Sequence, residues 1–160
     1  MVGGWSLNSD FHYSTGTPIS VHSTNYYPGF NSVYVNLVPG CNLTSGSPSL
    51  FKAYLNKSCF QNPSAGSYGG SAPQLGNGQN YLAQVHNPGT ATEDLGLHKI
   101  LTAGQDQQYN LTLRVEFFNL FNRHSLAGPD TNLGDATFGQ ILGYGGIGGR
   151  IGQVGARFTF

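Results

Sequence analysis

The sequence is poor in charge. Charged residues make up 9% of the chain, whereas a typical soluble domain contains about 25%. The formal net charge is zero, so the chain offers no basic surface of the kind that binds nucleic acid. A neutral chain with so few charges would tend to associate in water. These shortages argue against an ordinary soluble domain and against a nucleic-acid-binding protein.

Long apolar segments are also missing. No stretch of about 18 apolar residues occurs, so the sequence predicts no transmembrane helix. The opening MVGGWSLNSD has neither the basic nor the apolar segment of a signal peptide. The chain instead combines 24 glycines and abundant Asn, Ser and Thr with 12% aromatic residues. A membrane β-barrel has this composition, because its interior is polar and its outer apolar band is bounded by aromatic side chains.

Motifs for catalysis or metal binding are absent as well. The five histidines show no close metal-ligand spacing, and no G-x-S-x-G nucleophile motif is present. The stretch GYGGIG at 143–148 satisfies G-x-G-x-x-G, but a strand pattern follows it where a dinucleotide site needs a helix. We therefore expect no catalytic, cofactor or metal site.

Hydrophobic alternation with a period of two is the main structural signal. It predicts five strands, at residues 5–13, 19–22, 93–101, 109–117 and 151–160. Five strands cannot close a barrel, and their apolar row could not stay exposed to water. The sequence therefore predicts an all-β antiparallel meander of about five strands within a larger transmembrane β-barrel, with the apolar rows facing lipid and the intervening residues facing a wet lumen.

Two long segments, about 24–91 and 123–148, lose this alternation and are rich in Asn, Gly, Pro and Ser. Long loops on one side and short turns on the other are typical of bacterial outer-membrane barrels. Within the first loop, residues 33–38 predict a strand and residues 48–55 a short helical turn opened by Ser47 and Pro48.

The two cysteines, Cys41 and Cys59, both lie in this first loop. We favour a disulfide formed in an oxidising compartment, and two free thiols are the alternative. Closing a loop of this size would stabilise the fold by roughly 3 kcal/mol in the chain-entropy model.

A charged cluster is predicted on the polar face. A turn near residues 103–106 would place Arg114 opposite or diagonal to Asp94, on the same face as Glu116. A structural ion pair inside the barrel is the favoured interpretation of these three residues, and a patch that contacts substrate or a plug is the alternative.

The chain resembles the C-terminal part of large TonB-dependent outer-membrane receptors of the Oar-like kind. The family segment R-x-E-F-F-N-x-F-N is matched by Arg114, Glu116, Phe117, Phe118, Asn119, Phe121 and Asn122. A following N-x-x-x-x-x-F-G segment is matched by Asn132, Phe138 and Gly139. The stretches SCFQNPSAGSYGG, EDLGLHKIL and YSTGTPISV are similar to further family segments, although Gly96 and Leu101 replace a Ser and a Phe.

The resemblance implies that residues 1–160 are the last five strands of a barrel of about twenty-two, from a protein that takes up a bulky ligand and has no enzyme activity. It implies as partners the remaining strands and plug, the TonB complex acting through that plug, outer-membrane lipid and the barrel-assembly machinery. In such barrels a terminal strand ending in Phe is the assembly signal, a role that falls here on Phe158 and Phe160. A structural or adhesive outer-membrane protein without transport is the alternative function.

Overall fold

The computed structural model describes residues 3–25, 27, 33–64, 72, 74–105 and 108–160. Within them the chain forms eight strands and one short 3-10 helix, Lys57–Cys59. The strands are β1 (Trp5–Ser14), β2 (Pro18–Ile19), β3 (Asn36–Leu37), β4 (Phe60–Gln61), β5 (Leu82–His86), β6 (Thr90–Ala103), β7 (Tyr109–Phe118) and β8 (Ile151–Thr159). None of the helices in the described part of the chain is long and apolar enough to cross a membrane.

Four long strands form the main sheet, in the order β1-β6-β7-β8 with every neighbouring pair antiparallel. Side chains alternate between the two faces of a strand, and the register aligns the apolar positions of all four strands on one face. One such row consists of Leu7, Leu97, Val115 and Val154. The predicted all-β antiparallel meander is therefore confirmed.

The second predicted strand, residues 19–22, is not part of the main sheet. Pro18 and Ile19 pair instead with β5 in a separate two-stranded sheet, and Ile19 and Val21 are almost fully buried. Their alternation therefore reflects a loop segment that faces a core. The main sheet accordingly has four strands rather than five, and its connections are long, short and long.

Both long connections start and end at the same end of the main sheet. Ser14 at the end of β1 pairs with Thr90, and Phe118 at the end of β7 pairs with Ile151. The short connection between Ala103 and Tyr109 lies at the opposite end. The predicted asymmetry between long loops and a short turn is thus present, although residues 106 and 107 of that turn lie outside the described residues.

The chain divides into two compact units. The first, which we call the sheet unit, comprises Met1–Ser14, Thr90–His124 and Ile147–Phe160. The second, the loop unit, comprises Thr15–Gly89 and Ser125–Gly146. The loop unit has its own hydrophobic core, made of Ile19, Val21, Val35, Leu43, Leu55, Cys59, Phe60, Leu82, Val85, Leu133 and Phe138.

Residues from both long connections build this core. The rings of Phe60 and Phe138 meet edge to face, with their centroids 5.4 Å apart. The backbone N–H of Tyr54 donates to the carbonyl of Gly139 at 2.7 Å. The two segments that lack sequence periodicity therefore fold against each other.

Local structure in the first connection differs from the prediction in one place. Leu50 and Ala53 form isolated β-bridges with Ile141 and Gln140, so residues 48–55 do not form the expected helical turn. The 3-10 helix begins just after this stretch, where the side chain of Asn56 accepts a hydrogen bond from the Ser58 N–H. The predicted strand at 33–38 is present in part, as β3. Residues 65–71, which carry part of the SCFQNPSAGSYGG resemblance, lie outside the described residues.

Truncation of Leu55, which is 1% exposed, should open the core of the loop unit. Leu55→Ala is expected to destabilise this unit by about 2–5 kcal/mol, because the deletion leaves a cavity among buried side chains. Hydrogen exchange of the amides at 43–60 should therefore accelerate, whereas Leu142→Ala, at a position 49% exposed, should leave exchange unchanged. Equal exchange in the two variants would contradict this account of the core.

Candidate functional site

The apolar face of the main sheet carries exposed side chains on all four strands. It carries large side chains that are more than half exposed, among them Leu7, Phe11 and Val154. A contiguous apolar surface of this extent marks an interaction or membrane-contact site. The strands β1, β7 and β8 are nine or ten residues long, which matches a tilted span of about 9–11 residues across hydrocarbon.

Aromatic side chains gather where this face meets the short-turn end of the sheet. The ring of Phe158 stacks on Tyr109 at 6.3 Å between centroids and on Phe160 at 5.9 Å. Trp5 lies on the same face, opposite Lys99. Amphipathic aromatic residues prefer the level of lipid headgroups, so this end resembles one interfacial girdle. Phe158 and Phe160 are 58% and 91% exposed, and their role as an assembly signal stays a prediction.

The polar face carries a hydrogen-bonded network centred on Glu116. Its Oε1 lies 3.1 Å from Nε2 of His98 and 3.7 Å from a guanidinium nitrogen of Arg114, while Nε2 of Gln153 donates to its other oxygen. The Arg114 side chain is 53% exposed, and an ion pair in such a setting contributes little to stability. The network therefore depends on Glu116 more than on Arg114.

Asp94 does not belong to this network, contrary to the prediction. The register places Arg114 opposite His98 and Glu116 opposite Gly96, because β6 continues to Ala103 and pairing resumes only at Tyr109. Asp94 lies instead opposite Asp10 of β1. Its Oδ1 accepts a hydrogen bond from the backbone N–H of Asn119 at 2.8 Å, so Asp94 fixes the end of β7.

A recess of about 270 Å³ opens on the polar face above Gly96. The side chain of Asn8 occupies the space that a side chain at position 96 would need, since a Cβ there would lie 2.6 Å from the Asn8 Oδ1. The lining residues whose side chains belong to the polar face are Asn8, Asp10, Asp94, Glu116 and Phe118. Its carboxylates suit ligand groups that are cationic or donate hydrogen bonds. Within the described ranges, no cluster of three or more His, Cys, Asp or Glu could hold a metal ion.

The FNLFN segment ends β7 and ties it to the start of β8. Asn119 and Asn122 both adopt a left-handed backbone conformation, with φ of 51°. Nδ2 of Asn119 donates to the carbonyls of Arg123 and Gly148, both at 2.9 Å, and its Oδ1 accepts from the Arg123 N–H at 2.8 Å. The Asn122 side chain accepts from the Arg150 N–H at 3.0 Å. Periodicity does not reveal this asparagine clamp, although asparagine tolerates the left-handed region better than most residues.

An ion pair lies beside the clamp. Nε of Arg123 donates to the Glu93 carboxylate at 2.8 Å, and the guanidinium lies 5.6 Å from the centroid of the Phe121 ring. This hydrogen bond, followed by the charge of Glu93, raises the pKa of Arg123 above its usual range. Glu93 is on the apolar face of the sheet. The positive charge of Arg123 therefore compensates the negative charge of Glu93 on that face.

The loop unit is braced by a disulfide between Cys41 and Cys59, whose Cα atoms are 5.6 Å apart. Several asparagines act as additional braces. The Asn77 side chain bonds to both the N–H and the carbonyl of Leu37, and Asn62 accepts from the N–H of Thr24. These asparagines are exposed, and their hydrogen bonds hold separate segments of the loop together. Exposed aromatic side chains remain at Phe51, Tyr81 and Tyr144, which are 71%, 60% and 62% exposed.

Comparison with known proteins agrees with this geometry. A family model described as an outer membrane beta barrel domain matches residues 1–153. Neither the search of curated proteins nor the search of solved structures returned a match.

Removal of the Asn119 side chain should release the end of β7. Asn119 is 6% exposed, and Asn119→Ala would remove its three hydrogen bonds to the backbone of Arg123 and Gly148 and force Ala into a left-handed conformation. We expect a loss of about 2–4 kcal/mol in unfolding free energy, measured by urea denaturation of the whole protein in lipid vesicles. Ser6→Ala, at an exposed position on the polar face, is the control. A loss no larger than that of the control would refute the clamp.

Proposed function

The chain belongs to the outer membrane beta barrel domain family and is thus a protein of the bacterial outer membrane, and from this premise we propose that it forms part of the wall of a TonB-dependent receptor. Such a receptor takes up a bulky ligand with energy supplied from the inner membrane. The resemblance of the segment ending in FNLFN to Oar-like receptors is the observation that carries the proposal. Transport depends on the rest of the barrel and on a plug, so we do not assign it to these residues alone.

The polar face of the main sheet supports this role. A barrel of many strands encloses a lumen wide enough for a channel or a plug, and its wall must present polar groups inward. The Glu116 network and the recess above Gly96 supply hydrogen-bonding groups on that face. We assign the Glu116 network a structural role inside the barrel, and the recess a role in contacting ligand or plug.

The loop unit suits ligand capture outside the cell. Outer-membrane barrels have their long loops on the extracellular side, and both long connections leave one end of the sheet. A hydrophobic core and a disulfide make the loop unit a preformed surface, which lowers the ordering cost of binding. Phe51, Tyr81 and Tyr144 are the side chains to which we assign ligand stacking. Phe51 also has a positive φ of 57°, a strain of the kind found at functional sites.

The proposed partners follow from this role. They are outer-membrane lipid, the remaining strands and plug, the TonB complex, the barrel-assembly machinery reading Phe158 and Phe160, and a bulky ligand. We propose no enzyme activity, no cofactor and no binding to nucleic acid.

A structural or adhesive surface protein is the second candidate. The compact, disulfide-braced loop unit favours it as much as it favours a receptor, because a rigid outer module also suits attachment. The two candidates differ in their need for energy from the inner membrane.

Uptake measured in cells separates these candidates. Cells that make the whole protein should deplete at least one compound class from a complex medium, as measured by untargeted mass spectrometry. This depletion should stop when TonB is deleted. Combined replacement Phe51→Gly, Tyr81→Ser and Tyr144→Ser should slow depletion several-fold at equal surface abundance. The matched control is Leu75→Ser, at an exposed loop position. The adhesive protein would be favoured if cells with and without TonB both fail to deplete any compound class and the triple variant loses adhesion.

A further inference from the structure

Lys99 is a cation on the apolar face of the main sheet. It lies between Leu97 and Leu101 along β6, and its neighbours across the ladders are Trp5 and Leu113. Among the described residues of β1, β6, β7 and β8, this face carries one other charge, Glu93, which pairs with Arg123. A charge in this position is expensive in hydrocarbon and is retained where it has a function.

The Lys99 ammonium group has incomplete compensation from the protein. Its Nζ lies 4.8 Å from the centroid of the Trp5 ring and donates to the carbonyl oxygen of Gly3. An ammonium group has three donors, and neither an aromatic face nor a carbonyl carries a full negative charge. Within the described part of the chain, no carboxylate lies within ion-pair distance of Lys99. The described residues therefore supply this ammonium group with no full counter-charge.

A groove of about 460 Å³ runs beside Lys99. It is lined by Gly3, Gly4, Lys99, Ile100, Leu101 and Thr102. Gly4 has a φ of 80°, and a Cβ there would lie 2.5 Å from the carbonyl oxygen of Ile100, so the position requires glycine. Two consecutive glycines leave one wall of the groove without side chains. Lys99 itself is only 9% exposed, so an anionic headgroup would meet its ammonium group only along this groove.

The level of the groove fits the headgroup region of one leaflet. Lys99 precedes the short β6–β7 connection by four residues of strand, and short turns of outer-membrane barrels face the periplasm. Trp5, Tyr109 and Phe158 form the aromatic girdle at this end of the same face. Lysine and tryptophan are the side chains that anchor proteins at this level, through a polar tip on an apolar stem.

We propose that Lys99, Trp5 and the adjacent groove bind an anionic glycerophospholipid in the periplasmic leaflet. The Lys99 ammonium group pairs with the phosphodiester, and the Trp5 indole N–H donates to a headgroup oxygen. The acyl chains lie along the apolar row at Leu97 and Leu101. A net negative headgroup is favoured over a zwitterionic one, because a zwitterion brings its own cation to a site whose protein charge is positive.

Native mass spectrometry of the whole protein in detergent tests the site with two probes, phosphatidylglycerol and phosphatidylethanolamine of the same acyl chains. Wild-type protein should bind phosphatidylglycerol more tightly. Lys99→Gln should weaken that binding about tenfold, as expected for loss of one charge-assisted contact, while Lys99→Arg should retain it. Lys52→Gln, a matched change in the loop unit, should have no effect.

Three results would overturn the proposal. These are wild-type protein without preference for phosphatidylglycerol, Lys99→Gln with affinity within twofold of wild type, or Lys99→Gln that weakens both lipids equally. If Lys99→Gln fails to assemble, the preference of the wild type and of Lys99→Arg decides the outcome, and loss of preference in Lys99→Arg alone would also count against the phosphate contact.

Discussion

Backbone pairing in a medium without water determines how this chain folds. Inside hydrocarbon every backbone N–H and C=O must find a partner in the protein, and the antiparallel ladders β1-β6-β7-β8 supply these partners along the strands. Pairing fixes the register, and the two-residue period then sends Leu7, Leu97 and Val154 to one face and Asn8, His98 and Gln153 to the other. A slip of one residue would exchange the faces, so the alternation and the pairing specify each other.

The same meander determines where the long connections go. In an antiparallel sheet of four strands, the first and third connections must lie at one end, which brings residues 15–89 and 125–146 into one compact unit. There the dominant interaction changes from backbone pairing to burial of apolar side chains such as Leu55 and Phe138. Asparagine side chains such as that of Asn77 satisfy backbone groups that the short strands leave unpaired, and the Cys41–Cys59 disulfide cross-links the same segment.

The parts of this fold that depend on local periodicity were predictable from the sequence. The long strands were predictable because Tyr109 to Phe117 alternate without interruption. The register of the ladder was not predictable, because it depends on the length of the turn. Ala103 pairs with Tyr109, which places Arg114 opposite His98 and four residues from the position opposite Asp94. The core of the loop unit was not predictable from the sequence either, because its contacts join residues as far apart in the sequence as Phe60 and Phe138. The two-residue alternation also predicted a barrel strand at Ile19 and Val21. A short loop segment that faces a core shows the same alternation of apolar and polar residues as a strand.

One face of the main sheet contacts lipid, and the other contacts water. The most direct measurement places a nitroxide spin label at Leu7, Asn8, Gln153 or Val154, one at a time, in the whole protein in vesicles. Paramagnetic resonance then compares collision with oxygen, which concentrates in hydrocarbon, and with a water-soluble nickel complex. Labels at Leu7 and Val154 should collide mainly with oxygen, and labels at Asn8 and Gln153 mainly with the nickel complex. Equal access at all four positions, or the reverse alternation, would contradict this arrangement.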